Sequence, residues 1–128
     1  MKVAFTSSTG EMIDQHFGMT ESFTIWEMGP DDAYPIETIQ VEKHAGDEED
    51  KIAARVALLK DCAIVYTMQI GGPAAAKLVS HKIQPMKTTT EVPIAEIVAK
   101  LQGVLQGNPP PWLRKAMYKG KPQSFTEE

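Results

Sequence analysis

The segment Ala63-Ile64-Val65-Tyr66-Thr67 indicates the fold class of this chain. A short apolar run of this kind, rich in β-branched side chains, is typical of a strand buried in a parallel sheet. Before it, Asp47-Glu48-Glu49-Asp50 predicts the start of a helix, because an Asp N-cap followed by carboxylates suits the free N–H groups of a first turn. After it, Gly71-Gly72-Pro73 predicts a second helix with proline in its first turn. Helix, strand and helix in succession favour an α/β protein.

Further strands and a third helix are expected on both sides of this unit. The turn cluster at 29–32 predicts a hairpin of two strands, and Pro85 predicts that the last strand lies on an edge of the sheet. Thr90 is predicted to cap the third helix, which ends near Gly107-Asn108. The predicted strands are 2–6, 22–28, 36–41, 63–67 and 83–86. The predicted buried stripes are Ile52, Val56 and Leu59 in the first helix and Ile94, Ile97, Val98, Leu101 and Leu105 in the third.

Right-handed crossovers, with the hairpin added beside the first strand, give these five strands the spatial order 3-2-1-4-5. The expected architecture is therefore an α/β sandwich built on a five-stranded mixed sheet with three helices. We expect this domain to occupy residues 1–107. Residues 108–128 begin with prolines and continue with basic side chains, so they are expected to form a tail.

Composition narrows the class of protein. The 128 residues are 42% hydrophobic and 23% charged, which is typical of a globular domain. No apolar run approaches the roughly 20 residues that span a bilayer, and the first residues do not resemble a signal peptide, so a cytoplasmic protein without a membrane partner is expected. Cys62 is the only cysteine, which excludes an internal disulfide and a Cys-x-x-Cys metal site. An iron–sulfur species bound here would have to arrive largely preassembled.

Charge is distributed unevenly along the chain. Residues 1–50 carry 12 acidic and 2 basic side chains, whereas residues 51–128 carry 5 acidic and 11 basic ones, for a net charge of −4. This asymmetry is compatible with charged partners and equally with a solvated surface.

The loop Asp14-Gln15-His16-Phe17-Gly18 is the first candidate site, because it displays a histidine directly after the first strand and its turn. Histidine is the commonest protein metal ligand, and its side chain titrates near neutral pH. In open α/β sheets, ligands bind outside the carboxyl ends of the parallel strands. The predicted topology brings further groups to that end: Met68, the Gly71-Gly72 helix start, His44 and Thr88-Thr89.

Other residues receive structural interpretations. His44 precedes an acidic helix start and is expected to interact with the carboxylates of 47–50. Cys62 and His81 fall at the opposite end of the sheet, where a buried thiol and a surface histidine are expected. The chain lacks a P-loop, a dinucleotide fingerprint, the convergent carboxylates of a nuclease and a nucleophile with a base partner. These absences favour a protein that is not an enzyme and does not bind nucleic acid.

Three segments resemble the dinitrogenase iron-molybdenum cofactor biosynthesis family: Asp14-Gln15-His16-Phe17-Gly18, Ile70-Gly71-Gly72-Pro73-Ala74 and Pro109-Pro110-Pro111-Trp112-Leu113-Arg114-Lys115. The resemblance covers about residues 1–117. It implies a ribonuclease H-like three-layer sandwich without nuclease activity. It also implies a carrier that binds an iron–sulfur precursor of the iron-molybdenum cofactor, made by a radical enzyme, and passes it to the assembly scaffold.

Carried onto this chain, the resemblance implies that His16 binds the iron of the precursor. Met19 departs from the small residue that is more usual after the glycine, and its thioether could contact a cluster. A sulfide-rich cluster needs only one or two protein ligands and nearby N–H donors, and few ligands permit release. The expected binding residues are Asp14, Gln15, His16, Phe17, Gly18, Met19, His44, Met68, Gly71 and Gly72.

A second hypothesis is a regulatory or scaffold-docking protein of the nitrogenase pathway that binds proteins and no cluster. Its basis is the C-terminal segment, because Trp and Arg are enriched at binding hot spots. Trp112 could equally pack back onto the domain. The basic residues concerned are Arg114, Lys115, Lys119 and Lys121.

Overall fold

A computed structural model describes residues 1–42 and 46–119 of the chain. Within these ranges the chain forms seven strands and four helices. The strands are β1 (Lys2–Thr6), β2 (Met12–Ile13), β3 (Ser22–Met28), β4 (Ala33–Gln40), β5 (Cys62–Thr67), β6 (Gln84–Lys87) and β7 (Val92–Pro93). The helices are α1 (Glu48–Leu58), α2 (Gly72–Ser80), α3 (Ile94–Gln106) and α4 (Pro111–Ala116). None of these helices is long and apolar enough to cross a membrane.

Five strands form one mixed sheet in the order β4-β3-β1-β5-β6. The β1–β5 and β5–β6 pairs are parallel, whereas β1–β3 and β3–β4 are antiparallel. The α/β class and the five-stranded mixed sheet are thus confirmed. Numbered within this sheet alone, the strands lie in the order 3-2-1-4-5. Because β1 and β5 are parallel neighbours, their carboxyl ends meet at one edge of the sheet.

The sheet separates two apolar cores. Along β1, Val3 and Phe5 face one core and Ala4 faces the other, as the two-residue period of a strand requires. Helices α3 and α4 cover the first core, and α1 and α2 cover the second. The predicted stripes are confirmed as core-facing, with Ile52 and Ile97 half-buried and the other members buried: Val56, Leu59, Ile94, Val98, Leu101 and Leu105.

Strand β4 spans 33–40 where 36–41 was predicted, and β6 spans 84–87 where 83–86 was predicted. Other differences concern two short strands and the start of α3. The short strands β2 and β7 pair with each other outside the main sheet. They were not predicted, because a strand of two residues is too short to show alternation of apolar and polar side chains. The predicted Thr90 cap of α3 is wrong, because Pro93 is the N-cap. A residue before proline avoids the helical region, so Val92 stays extended and pairs with Ile13. The Ile94 N–H then donates to the Glu11 carbonyl at 2.8 Å.

The C-terminal segment contains α4, a fourth helix that the sequence did not predict. Leu113 is 2% exposed and lies in the core under α3. Lys119 Nζ donates to the carbonyls of His81 and Lys82 at 2.8 and 3.0 Å, which ties the segment to the end of α2. The pKa of Lys119 is lowered by burial, and the nearby Cys62 and Asp61 offset only part of this effect. Lys121, named above among the basic residues of the tail, lies outside the described residues.

Leu113 gives a direct test of how far the domain extends. The predicted boundary at residue 107 remains a prediction, but a side chain this buried contributes to stability. We expect Leu113→Ala to lower the free energy of unfolding by about 2–5 kcal/mol, the usual cost of a buried Leu-to-Ala change. Trp112→Ala is the matched control, since that side chain is 42% exposed. Urea denaturation measures both, and equal small effects would show that α4 does not belong to the cooperative fold.

Candidate functional site

The His16 loop is joined to the loop after β5 by the backbone. The Met68 N–H donates to the Gln15 carbonyl at 3.1 Å, and the Phe17 N–H donates to the Gln69 carbonyl at 2.9 Å. His16 lies between these two bonds, and its side chain is exposed. The structure therefore brings His16 and Met68 together at the carboxyl ends of β1 and β5, as the sequence predicted from topology.

Two buried threonines lie beneath this junction. Thr6 and Thr67 are the last residues of β1 and β5, and both are 0% exposed. Thr6 Oγ1 lies 2.8 Å from the Gln15 carbonyl oxygen and 3.2 Å from Thr67 Oγ1. Thr67 Oγ1 lies 3.1 Å from the Gln15 oxygen and 3.2 Å from the Gln69 oxygen. Sequence reasoning missed this pair, although threonine at the end of two neighbouring parallel strands was a signal.

A tight turn fixes the other side of His16. Its carbonyl accepts hydrogen bonds from the N–H groups of Met19 at 3.1 Å and Thr20 at 2.9 Å. Phe17 is fully buried, and its ring centroid lies 5.8 Å from that of Phe23. Met19 is 74% exposed. The turn thus anchors itself in the core through Phe17 and leaves the side chains of His16 and Met19 in solvent.

Two other predicted residues of this loop, Asp14 and Gln15, make side-chain hydrogen bonds within the protein. The Asp14 carboxylate accepts from the Ser8 N–H at 2.9 Å and from the Ser8 hydroxyl, which joins the loop to the turn after β1. The Gln15 side-chain amide donates to the Asp14 carbonyl at 3.2 Å. Met68 is half-buried against the core under α3, and its carbonyl accepts from the Thr89 N–H at 3.2 Å. Thr89 therefore joins the same end of the sheet, as predicted.

Helix α2 begins at Gly72, three residues after Gln69. Gly71 is its N-cap without a side-chain cap bond, and both Gly71 and Gly72 are exposed. The free N–H groups of such a helix start favour negative charge. His44, another predicted member of the site, lies outside the described residues.

Helix α1 supplies two charged groups that sequence reasoning did not identify. The Arg55 guanidinium donates to the Thr20 carbonyl at 3.1 Å, at the end of the His16 turn. The pKa of Arg55 is lowered by burial, and the nearby Glu48 carboxylate offsets only part of this effect. A Cβ atom added at Gly18 would lie 3.9 Å from Glu48 Oε2, so this carboxylate borders the turn. Helical periodicity alone could not show which loop these side chains reach.

A groove lies between the first two turns of α1 and those of α2, with a volume of about 240 Å³. Its lining combines two carboxylates and one lysine with three apolar side chains. Its lining residues are Glu49, Asp50, Ile52, Ala53, Pro73 and Lys77. In the described ranges 1–42 and 46–119, no group of three or more His, Cys, Asp or Glu side chains is arranged to hold a metal ion.

Cys62 and His81 lie away from this site. Cys62 starts β5 at the opposite end from Thr67, is 3% exposed, and has a thiol pKa raised by burial to about 12. His81 is exposed at the end of α2, where its ring contacts the Lys77 carbonyl at 3.0 Å. Neither side chain contributes to the junction around His16.

Comparison with known proteins assigns the family. The sequence profile described as dinitrogenase iron-molybdenum cofactor matches residues 1–103. The chain belongs to this family. The resemblance seen in the sequence is thereby confirmed, and the family takes part in iron-molybdenum cofactor biosynthesis for nitrogen fixation.

Two relatives and one solved structure show how much of the chain is shared. The chain is 41% identical to the protein NifX of Herbaspirillum seropedicae over 133 aligned positions, covering all of this chain and 90% of that protein. It is 39% identical to the protein NifY of Azotobacter vinelandii, covering 91% of this chain but only 48% of that longer protein. The crystal structure of PH0822 has the same fold, with a TM-score of 0.66, 20% identity, and coverage of 80% of this chain and 91% of that one.

Proposed function

We propose that the protein is a non-enzymatic carrier that binds an iron–sulfur precursor of the iron-molybdenum cofactor and passes it to the cofactor assembly scaffold. The observation that carries this proposal is an exposed imidazole on a fixed backbone, His16 between two hydrogen-bonded neighbours. Under this proposal its partners are the radical enzyme that makes the precursor and the scaffold, in the cytoplasm. The five-stranded sheet is then of the ribonuclease H-like type, without nuclease activity.

The chemistry of such a cargo suits this arrangement. A cluster that already holds its bridging sulfides needs one end-on nitrogen ligand, which His16 would supply. The free N–H groups at the start of α2, behind Gly71 and Gly72, would favour its negative charge. One covalent contact also leaves a dissociation rate compatible with transfer. Anaerobic loading of the purified protein with precursor cluster, followed by gel filtration and iron quantitation, tests binding against a His16→Ala variant.

Met19 is the second contact under this proposal. Its N–H donates to the His16 carbonyl, so the two residues share one turn, and a side chain that is 74% exposed has no packing role there. A thioether is a soft ligand that suits an iron–sulfur surface.

Replacing the sulfur of Met19 without changing its apolar character isolates this contact. We expect Met19→Leu to weaken precursor binding about tenfold, which corresponds to about 1.4 kcal/mol. Val79→Ala is the control, because Val79 is also exposed, at 56%, but lies near the far end of α2. Competitive loading at equal protein concentrations measures the ratio. A leucine variant that binds as tightly as wild type would leave Met19 without a role as ligand.

A docking function for α4 is the second candidate, and one observation favours it. Leu113 fixes the helix in the core, while Trp112 and Tyr118 remain 42% and 66% exposed beside the exposed Arg114 and Lys115. Trp112 therefore does not pack fully back onto the domain. An exposed aromatic and basic surface on a fixed helix is typical of a protein-binding hot spot.

Point variants test this docking surface better than deletion, because deletion would also remove Leu113 from the core. We expect Trp112→Ser combined with Arg114→Ser to reduce capture of nitrogenase assembly proteins by the cluster-free protein at least tenfold, since hot-spot residues usually contribute more than 1.4 kcal/mol each. Lys100→Ser, an exposed cation on α3, is the control. Undiminished capture by the double variant would exclude α4 as the docking surface.

A further inference from the structure

We infer that the hydroxyl groups of Thr6 and Thr67 are positioning groups that set the direction in which His16 presents its imidazole. The inference rests on the proposed role of His16 as a ligand. Neither threonine is exposed, so neither can touch a cargo, and both act through the backbone of the loop.

The hydrogen bonds fix both peptide planes that meet at His16. The plane before it contains the Gln15 carbonyl, which accepts from Thr6 Oγ1 at 2.8 Å and from the Met68 N–H at 3.1 Å. The plane after it contains the His16 carbonyl and the Phe17 N–H, which are bonded to the turn and to Gln69. With both planes held, φ and ψ of His16 are set, and so is its Cα–Cβ direction.

Each threonine contributes one hydroxyl proton to these hydrogen bonds. Two hydroxyl protons are available, one from each side chain. When Thr6 donates to the Gln15 carbonyl, Thr67 is free to donate to the Gln69 carbonyl at 3.2 Å. Each carbonyl then has two donors, one from the main chain and one from a buried hydroxyl. The Gln69 carbonyl is the one that binds Phe17, so the threonines reinforce the junction on both sides of His16.

Removal of the hydroxyls would loosen the loop without removing the fold. Valine has nearly the shape of threonine, and each carbonyl would keep its main-chain donor, so no buried acceptor would be left unpaired. The loop would instead sample orientations in which the imidazole points elsewhere. Apparent affinity falls in proportion to the population that is competent to bind, so a loop correctly oriented one-tenth of the time binds about tenfold more weakly.

The test compares Thr6→Val/Thr67→Val with Thr6→Ser/Thr67→Ser in the full-length protein. We expect the valine pair to lose about tenfold in precursor affinity and to accelerate hydrogen exchange of the Phe17 amide, while the serine pair retains both properties because it keeps the hydroxyls. Thr24→Val is the matched control. Thr24 is a buried β3 threonine whose Oγ1 has no hydrogen-bond partner among the described residues.

The readouts separate this inference from the proposed function. If His16→Ala abolishes binding while the valine pair binds like wild type with unchanged exchange at Phe17, the positioning role is overturned and the carrier proposal stands. If His16→Ala binds like wild type, the carrier proposal fails, and a valine pair with unchanged Phe17 exchange would overturn the structural part of the inference as well. Should the valine pair not fold, the two single valine variants are measured, and an intermediate loss in each supports the inference.

Discussion

His16→Ala is expected to lose at least about a hundredfold in affinity for the iron–sulfur precursor, or about 2.7 kcal/mol. The substitution removes the nitrogen proposed to bind iron and leaves the loop intact, because the loop is held by bonds from the main chain and from buried hydroxyls. Only the exposed part of the residue is lost, so stability should change little. Anaerobic gel filtration with iron quantitation measures the loss directly.

The matched control for this experiment is His81→Ala. His81 is the other described histidine, it is also exposed, and it lies at the end of α2 away from the junction. Its replacement is expected to leave precursor binding at the wild-type level. Equal binding by wild type and both variants would refute the assignment of His16, and an equal loss in both would point to a general effect of exposed imidazoles.

Native Cys62 is expected to react with iodoacetamide at pH 8 at least about a thousandfold more slowly than the same thiol in the unfolded chain. Its pKa is raised from 9.0 to about 12, chiefly by burial and against the attraction of Lys2 and Lys119. Only the thiolate reacts, so the smaller ionised fraction alone accounts for about three orders of magnitude, and burial of the sulfur adds to it.

The same shift predicts how stability depends on pH at the alkaline end. Because the thiol is harder to ionise in the folded state, its contribution is complete below pH 9 and is lost as the pH rises from 9 toward 12. Cys62→Ala should remove this part of the pH dependence, and it should leave precursor binding unchanged because the thiol lies at the opposite end of β5 from the His16 junction. Fast alkylation of the native protein, or loss of binding in Cys62→Ala, would contradict the structural role assigned to this residue.

Local sequence patterns predicted the strands and helices whose buried side chains recur at regular spacing. The ranges of β1 and β3 agree with the prediction, and Asp47 caps α1 as expected, with the Asp50 N–H donating to its side chain at 2.9 Å. Alternation and capping are properties of a few adjacent residues, so they can be recognised without the fold. Pro85 likewise lies in β6, at an edge of the sheet, because its missing N–H restricts where it can pair.

Features that depend on distant partners could not be predicted in the same way. Whether Thr90 or Pro93 caps α3 was decided by the pairing of Val92 with Ile13, which no local pattern shows. Leu113 belongs to a six-residue helix in a segment expected to be a tail. It is buried only because the folded domain offers an apolar core under α3 for it to join.

The sequence by itself determined the α/β class, the sheet strands and the loop on which His16 lies, because these follow from periodicity and from residue chemistry over short distances. Only the tertiary structure decided how that histidine is held. Thr6 and Thr67 are 61 residues apart along the chain, and their hydroxyls reach one carbonyl only because β1 and β5 are parallel neighbours. A hydrogen bond depends on the positions of two groups in space, and those positions exist only once the sheet has formed.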